Sequence, residues 1–375
     1  MKIKTYILFF ILFGVIPDVF ITLAPLAGAA LWWKLAVCIP TAVALVFLIS
    51  IGRGVKYTES LRVLSYIVFI FGLPKFMFML FYGLGIIPAL CIAAAVSLFF
   101  CTLIFYVTTH LKLKETELRK DRLPAAFNGL RICHIADVHL GSFGIDNPYI
   151  GRIVDLILDQ KPDIILFSGD LVNFDAGEAE PYMEQLARLK APLGVFSIRG
   201  NHDYLLHGYH LNKEQRRAQT DRLLQMERSL GWTVLLNQHA MVQRGDAEIA
   251  VAGVENISGN PYFPSMGGDL EKALEGIPEG TFTILLSHDP THWAADVAGK
   301  VPVDLTLSGH THGLKIKTAG PHISSWRLRH SSGLYTEGSQ NLYVTVGLGS
   351  AFAFRLAGFP NVDIITLKPN SEDDE

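Results

Sequence analysis

Five short blocks in this 375-residue chain bring acids, an amide and imidazoles into close order. They are Asp137-Val138-His139, Gly169-Asp170, Gly200-Asn201-His202-Asp203, Ser287-His288-Asp289 and Gly309-His310-Thr311-His312. Carboxylate, amide and imidazole donors suit borderline divalent metals such as Mn²⁺, Zn²⁺ or Fe. In an extended strand, residues two apart face the same way, so Asp137 and His139 would reach one ion. His310 and His312 would do the same if the chain stays extended there. Such a ligand set is too large for one tetrahedral ion but suits two ions sharing a bridging carboxylate. Two ions about 3.5–4 Å apart can clamp the attacking and leaving oxygens of a phosphoryl displacement.

Each block ends an apolar run, which is what must position it. The runs are Leu130–Ala136, Asp163–Ser168, Gly194–Ile198, Phe282–Leu286 and Leu305–Leu307. They read as buried strands whose C-terminal ends form a ligand-binding edge, as in α/β sheets. Helical patterns at Pro148–Gln160 and Pro181–Leu189 supply the crossovers that parallel strands require. All histidines but His110 lie in this half.

The first third differs sharply. Charged residues make up only 18% of the chain and apolar types 50%, with a mean hydropathy of +0.32. Roughly 25% charged is usual for soluble domains. Between Tyr6 and Trp33 the only formal charge is Asp18, and between Val63 and His110 it is Lys75. These stretches predict four membrane-spanning helices, at Tyr6–Ala27, Leu31–Ile51, Val63–Tyr82 and Ile86–Thr109. Ala27-Gly28-Ala29 has the small residues of a signal-peptide cleavage site, but the run before it is long for a signal peptide. Lys2 and Lys4, then Arg53, Lys56 and Arg62, then Lys112, Lys114, Arg119, Lys120 and Arg122 lie on one side of the spans. Only Lys34 lies on the other. The positive-inside rule predicts cytoplasmic termini and a cytoplasmic C-terminal domain of a multi-pass cell (inner) membrane protein. Asp18 and Lys75 are similarly deep, each follows a proline, and they are expected to pair; snorkelling of Lys75 is the alternative. Spacing of the four cysteines shows neither a metal motif nor a disulfide framework.

The expected organisation is an anchor over 1–110, a charged helical linker over 111–128, a catalytic domain over 129–369 and an acidic tail over 370–375. The net charge of −3 argues against nucleic-acid binding.

The blocks Asp137-x-His139, Gly169-Asp170, Gly200-Asn201-His202-Asp203, His288 and Gly309-His310-x-His312 together resemble the calcineurin-like metallophosphoesterase family. With the four spans, the chain resembles a membrane-anchored bacterial-type branch near the family's phosphodiesterases and UDP-2,3-diacylglucosamine pyrophosphatases. The resemblance implies a four-layer α/β/β/α sandwich following an α-helical transmembrane anchor. It implies Asp137, His139 and His312 as ligands of one metal and Asn201, His288 and His310 as ligands of a second, with Asp170 bridging. A hydroxide held between the metals would attack phosphorus. His202 would act as the acid, with Asp203 orienting it.

The chain departs from the family pattern at Gly313-Leu314-Lys315 and in the late strand Tyr343–Gly347, which lacks an arginine that Arg355 could replace. Both departures bear on substrate choice. His134 is out of phase with Asp137 and reads as structural. His292 reads as supporting or surface-exposed, while His207 and His210 are weaker candidates for substrate contact. Asn260–Met266 suggests a lipid-facing lid, and Ile323–His330, with Trp326, Arg327 and Arg329, either a headgroup contact or a solvated hairpin. The implied function is hydrolysis of a phosphodiester or pyrophosphate, in a lipid-linked or membrane-associated substrate. A soluble nucleotide substrate is the alternative, and a non-catalytic membrane scaffold the weaker one.

Overall fold

The structure, a computed structural model, describes residues 3–144, 147–208, 211–259, 265–313, 330–351, 355 and 358–370. It divides into two compact units. One comprises Met1–Thr108 with His207–Asn212 and Ala351–Arg355, and the other holds the remaining chain.

Four apolar helices make up most of the first unit, at Ile3–Leu23, Leu31–Gly52, Tyr57–Leu84 and Ile86–Thr109. Their apolar side chains point outward, as at Leu8, Leu31, Leu80 and Leu98, which suits a hydrocarbon solvent. Pro17 and Pro74 each follow a π-helical turn, Ile11–Val15 and Val68–Gly72. The wider turn accommodates a ring that would otherwise strike the carbonyl of the preceding turn. Asp18 and Lys75 meet as the sequence predicts. Lys75 Nζ donates to Asp18 Oδ1 on the first span, and to Val37 O at 3.3 Å and Thr41 Oγ1 at 3.1 Å on the second. Small residues permit this approach. A Cβ on Gly72 would stand 2.8 Å from Phe13 O.

The second unit is built on two six-stranded sheets. The first contains β1 (Lys112–Arg119), β2 (Leu130–Ile135), β3 (Ile164–Phe167), β4 (Val195–Ser197), β5 (Thr233–Val234) and β12 (Asn361–Lys368). Their order is β1-β12-β2-β3-β4-β5. The second sheet contains β6 (Gln238–Arg244), β7 (Ala247–Gly253), β8 (Thr283–Leu286), β9 (Leu305–Ser308), β10 (Gly333–Glu337) and β11 (Gln340–Val344), in the order β10-β11-β9-β8-β7-β6. Leu130, Ile132 and Leu166 of one sheet pack against Val251, Ile284 and Leu305 of the other, so the main core lies between them. The helix Tyr149–Asp159 turns Ile150, Ile153 and Val154 toward Ile135 and Phe167 on the outer face of the first sheet. Trp293 and Val297 cover Leu285 and Val344 on the second. This is the four-layer α/β/β/α arrangement.

Two local expectations fail. Residues 112–119 are not a linker helix but β1, an edge strand paired parallel with β12 from Lys112↔Asn361 to Arg119↔Lys368. Lys, Glu and Leu are good helix formers, but propensity is a small bias that pairing with a distant strand overrides. The predicted helix Pro181–Leu189 shrinks to Met183–Leu186 after a 3₁₀ segment, Ala176–Tyr182.

Candidate metal centre

β2, β3 and β4 run parallel, as do β8 and β9, so their C-terminal ends deliver all five blocks to one edge. The strands stop before the ligands, however. β2 ends at Ile135 and β9 at Ser308. Asp137, His139, Asp170, His310 and His312 all adopt left-handed backbone, with φ of 51°, 49°, 63°, 71° and 49°. The extended Asp137–His139 and His310–His312 geometry expected from the sequence is therefore wrong. Left-handed turns, not strand alternation, aim these side chains. Each such residue carries about 1–3 kcal/mol of strain that surrounding structure must offset. Interlocked loops do so here: Asp137 N donates to Gly169 O at 2.8 Å, and His139 N to Asp170 O at 3.2 Å.

The turns gather two groups of possible ligands. Asp137, His139 and His312 have donor atoms within 4.8 Å of one another, and so have Asp170, His288 and His310. Asp170 Oδ2 stands 3.6 Å from His139 Nε2 of the first group and 3.2 Å from His288 Nε2 of the second. Glycines make room for this. A Cβ on Gly200 would stand 2.7 Å from both Asp170 Cγ and His288 Cε1, and one on Gly309 2.6 Å from Ala136 Cβ.

The hydrogen bonds set the imidazoles for metal binding. His139 Nδ1 donates to Asn173 Oδ1 at 2.7 Å, and His288 Nδ1 to Ser168 O at 2.8 Å. Each bond fixes the tautomer with its Nε2 lone pair turned inward. His139 Nε2, His288 Nε2 and Asn201 Oδ1 are buried with no hydrogen bond. Three such inward acceptors beside buried carboxylates would be costly without a cation, so the residues fit two divalent ions. Burial, followed by the nearby His202, pushes His139 down to about 3, which keeps it neutral. Burial also opposes charge on His288, but the Asp170 carboxylate overcomes it and raises His288 to about 10. Despite its own burial, Asp170 stays well below the usual carboxylate range, held by His288 and His202. This carboxylate demands positive charge.

His202 lies beside the first group, its ring 4.8 Å from that of His139. Its Nδ1 faces Asn173 O at 3.1 Å and its backbone N–H donates to Asp170 Oδ1 at 2.8 Å. The role expected for Asp203 needs correction. Asp203 Oδ2 accepts from Asp170 N and Gly200 N at 2.7 and 2.9 Å, and Oδ1 from Leu171 N and Val172 N at 2.9 and 3.3 Å. Adjacent backbone amides point at this carboxylate because the chain turns back at Asp170, so Asp203 braces the loop while Asn173 orients His202. Burial, then the Asp170 charge, pushes Asp203 up to about 6.

Asn173 is the functional residue that the sequence reading missed. Besides facing His139 and His202, it donates from Nδ2 to Ser142 Oγ at 2.9 Å, and its N–H is held by Glu178 at 2.6 Å. Its only signal was its place three residues after Asp170. His134 bonds Ser168 Oγ at 2.9 Å and His292 bonds Ser287 Oγ at 2.8 Å, both buried in supporting positions. Arg355 is buried. His210, residues 260–264 of the expected lid, Leu314-Lys315, and Trp326, Arg327 and Arg329 lie outside the described residues.

The fold and site define a phosphoesterase-type α/β/β/α metal domain carried on four apolar spans. The family model for calcineurin-like phosphoesterases matches residues 130–314. The metallophosphoesterase YkuE of Bacillus subtilis is 30% identical over 273 residues, covering 70% of this chain and 88% of that protein. The chain belongs to the calcineurin-like metallophosphoesterase family. A transmembrane protein with metallophosphoesterase domain from Danio rerio is 32% identical over 206 residues, 54% of this chain and 44% of that protein. The phosphodiesterase YaeI of Escherichia coli is 28% identical over 241 residues, covering 63% and 82%. The chain thus spans about half the length of its matched vertebrate relatives, of which the Bos taurus protein is covered over 52%.

Proposed function

We propose that the protein hydrolyses a phosphodiester or pyrophosphate of a lipid-linked, membrane-associated substrate on the cytoplasmic side. One observation carries this reading: two carboxylate–imidazole groups meet at Asp170 in a chain with four membrane-spanning helices. Asp137, His139 and His312 would hold one divalent ion, and Asn201, His288 and His310 a second, with Asp170 between them. When bound, the ions supply Lewis acidity, making a nucleophile from water and neutralising phosphate charge. Asn173 keeps His202 oriented through its carbonyl, so that Nε2 can protonate the leaving oxygen as the P–O bond breaks. Asp203 keeps the Asp170 loop rigid, so the site is formed before substrate arrives. Anchoring to the bilayer raises the effective concentration of lipid-borne phosphates. The asymmetry of basic residues supports the cytoplasmic side.

Full-length protein with Mn²⁺ should hydrolyse bis-p-nitrophenyl phosphate. Asp170→Asn and His202→Ala should each lower kcat by at least about a hundredfold. Undiminished activity in Asp170→Asn would refute the site. Comparing UDP-2,3-diacylglucosamine with soluble nucleotides then separates lipid-linked from nucleotide substrates.

A further inference from the structure

Lys112 begins β1 three residues after the fourth span ends at Thr109, with only His110 and Leu111 between. β1 runs parallel to β12, and β12 antiparallel to β2. The start of β1 therefore lies at the sheet edge where β2 ends and the Asp137 loop begins. Backbone hydrogen bonds trace the connection. Lys112 N donates to Pro360 O at 2.8 Å, Asn361 N to Gly347 O at 3.4 Å, and Gly349 N to Asp137 O at 2.6 Å. Neighbouring strands are about 4.8 Å apart, and the three steps from Thr109 to Lys112 reach at most about 10 Å. By chain length alone, the start of β1 cannot stray further than that from the end of the fourth span.

The residues at that entry point suit a bilayer's headgroup layer. Side chains alternate along β1, so Lys112 and Lys114 share one face, and Glu115 and Glu117 the other. The acids are engaged, Glu117 with Lys368 at 2.6 Å and Glu115 with Arg131 at 3.9 Å. Lys112 is exposed and makes no ion pair among the described residues. Its Nζ stands 4.0 Å from the centre of the Phe359 ring, and the His110 ring lies 4.9 Å from the same ring. An ordered aromatic ring flanked by a cation and an imidazole is the amphipathic chemistry found at bilayer interfaces.

We propose that His110, Lys112 and Phe359, next in the chain to the fourth span or packed against it there, form an anchor for anionic phospholipid that selects phosphoesters borne by lipids. This rests on the phosphoesterase reading above and adds how the substrate is selected.

The test uses full-length protein with Mn²⁺ in vesicles of phosphatidylcholine and phosphatidylglycerol. Two substrates with the same leaving group are compared, soluble bis-p-nitrophenyl phosphate and membrane-embedded hexadecyl p-nitrophenyl phosphate. Lys112→Glu should raise KM for the hexadecyl ester about tenfold, leave the soluble ester unchanged, and be rescued by Lys112→Arg. Unchanged KM for both, or an equal loss on both, overturns the anchor while the phosphoesterase reading stands. If wild-type protein hydrolyses neither ester, that reading fails instead. A benzophenone amino acid replacing Phe359 then tests the anchor without activity. Photocrosslinking to phosphatidylglycerol is expected, and absence of any lipid adduct overturns it.

Discussion

Asn173 illustrates how much of this centre depends on groups that would touch no metal. One side-chain oxygen fixes His139, its carbonyl faces His202, and its amide nitrogen reaches Ser142. Replacing it by alanine frees the His139 ligand but leaves the backbone carbonyl that faces His202 in place. Loss of such a supporting partner usually costs 10–100-fold in metal affinity or activity. Asn173→Ala should therefore weaken Mn²⁺ binding about tenfold or more, measured by equilibrium dialysis of the full-length protein. Asn173→Asp keeps an acceptor for His139 Nδ1 and should recover most of the affinity. Unaltered binding in the alanine variant would show that His139 needs no orientation from this side. Asp203 acts differently, since its carboxylate serves four backbone amides rather than an imidazole. The sequence motif that contains it says nothing of that division of labour, because hydrogen bonds to backbone leave no trace in residue spacing.

Among the elements, legibility followed burial. The strands that carry the site are short apolar runs ending in polar blocks, and β2, β3, β4, β8 and β9 lie within a residue or two of the runs that announced them. β1 was hidden because an edge strand with one buried leucine, Leu118, has the composition of an exposed helix. The left-handed turns were hidden too, since positive φ is a minority conformation even for Asp and His and residue type alone does not mark where it occurs. The four spans were legible, although the third begins at Tyr57, six residues before the apolar run, and their paired charges allow a quantitative test. Lys75 is held by groups on two other helices, so removing either charge leaves its partner buried in an apolar bundle. Breaking such a pair costs about 3–5 kcal/mol. Lys75→Ala and Asp18→Ala should each destabilise the detergent-solubilised protein by about that much, and the double variant by no more than either alone. Additive losses in the unfolding curves would mean that the two charges act independently.

The molecule as a whole joins an anchor of low charge to a metallophosphoesterase domain. An even number of spans puts both termini on the same side, so a single orientation decides the domain's compartment. The long catalytic domain contributes little to that choice, because orientation is set over short loops near the spans. Arg53 and Lys56 between the second and third helices, Arg62 early in the third, and Lys2 and Lys4 at the start therefore carry most of the signal, opposed only by Lys34. A C-terminal fluorescent-protein fusion should light up in cells, and a C-terminal alkaline phosphatase fusion should stay inactive. Changing Arg53, Lys56 and Arg62 to Gln while adding lysines beside Gly83 removes the asymmetry. That variant should yield a mixed population, with phosphatase activity appearing as fluorescence falls. If the unaltered chain already shows strong phosphatase activity, the domain faces outward, and a lipid-linked substrate would have to lie in the opposite leaflet.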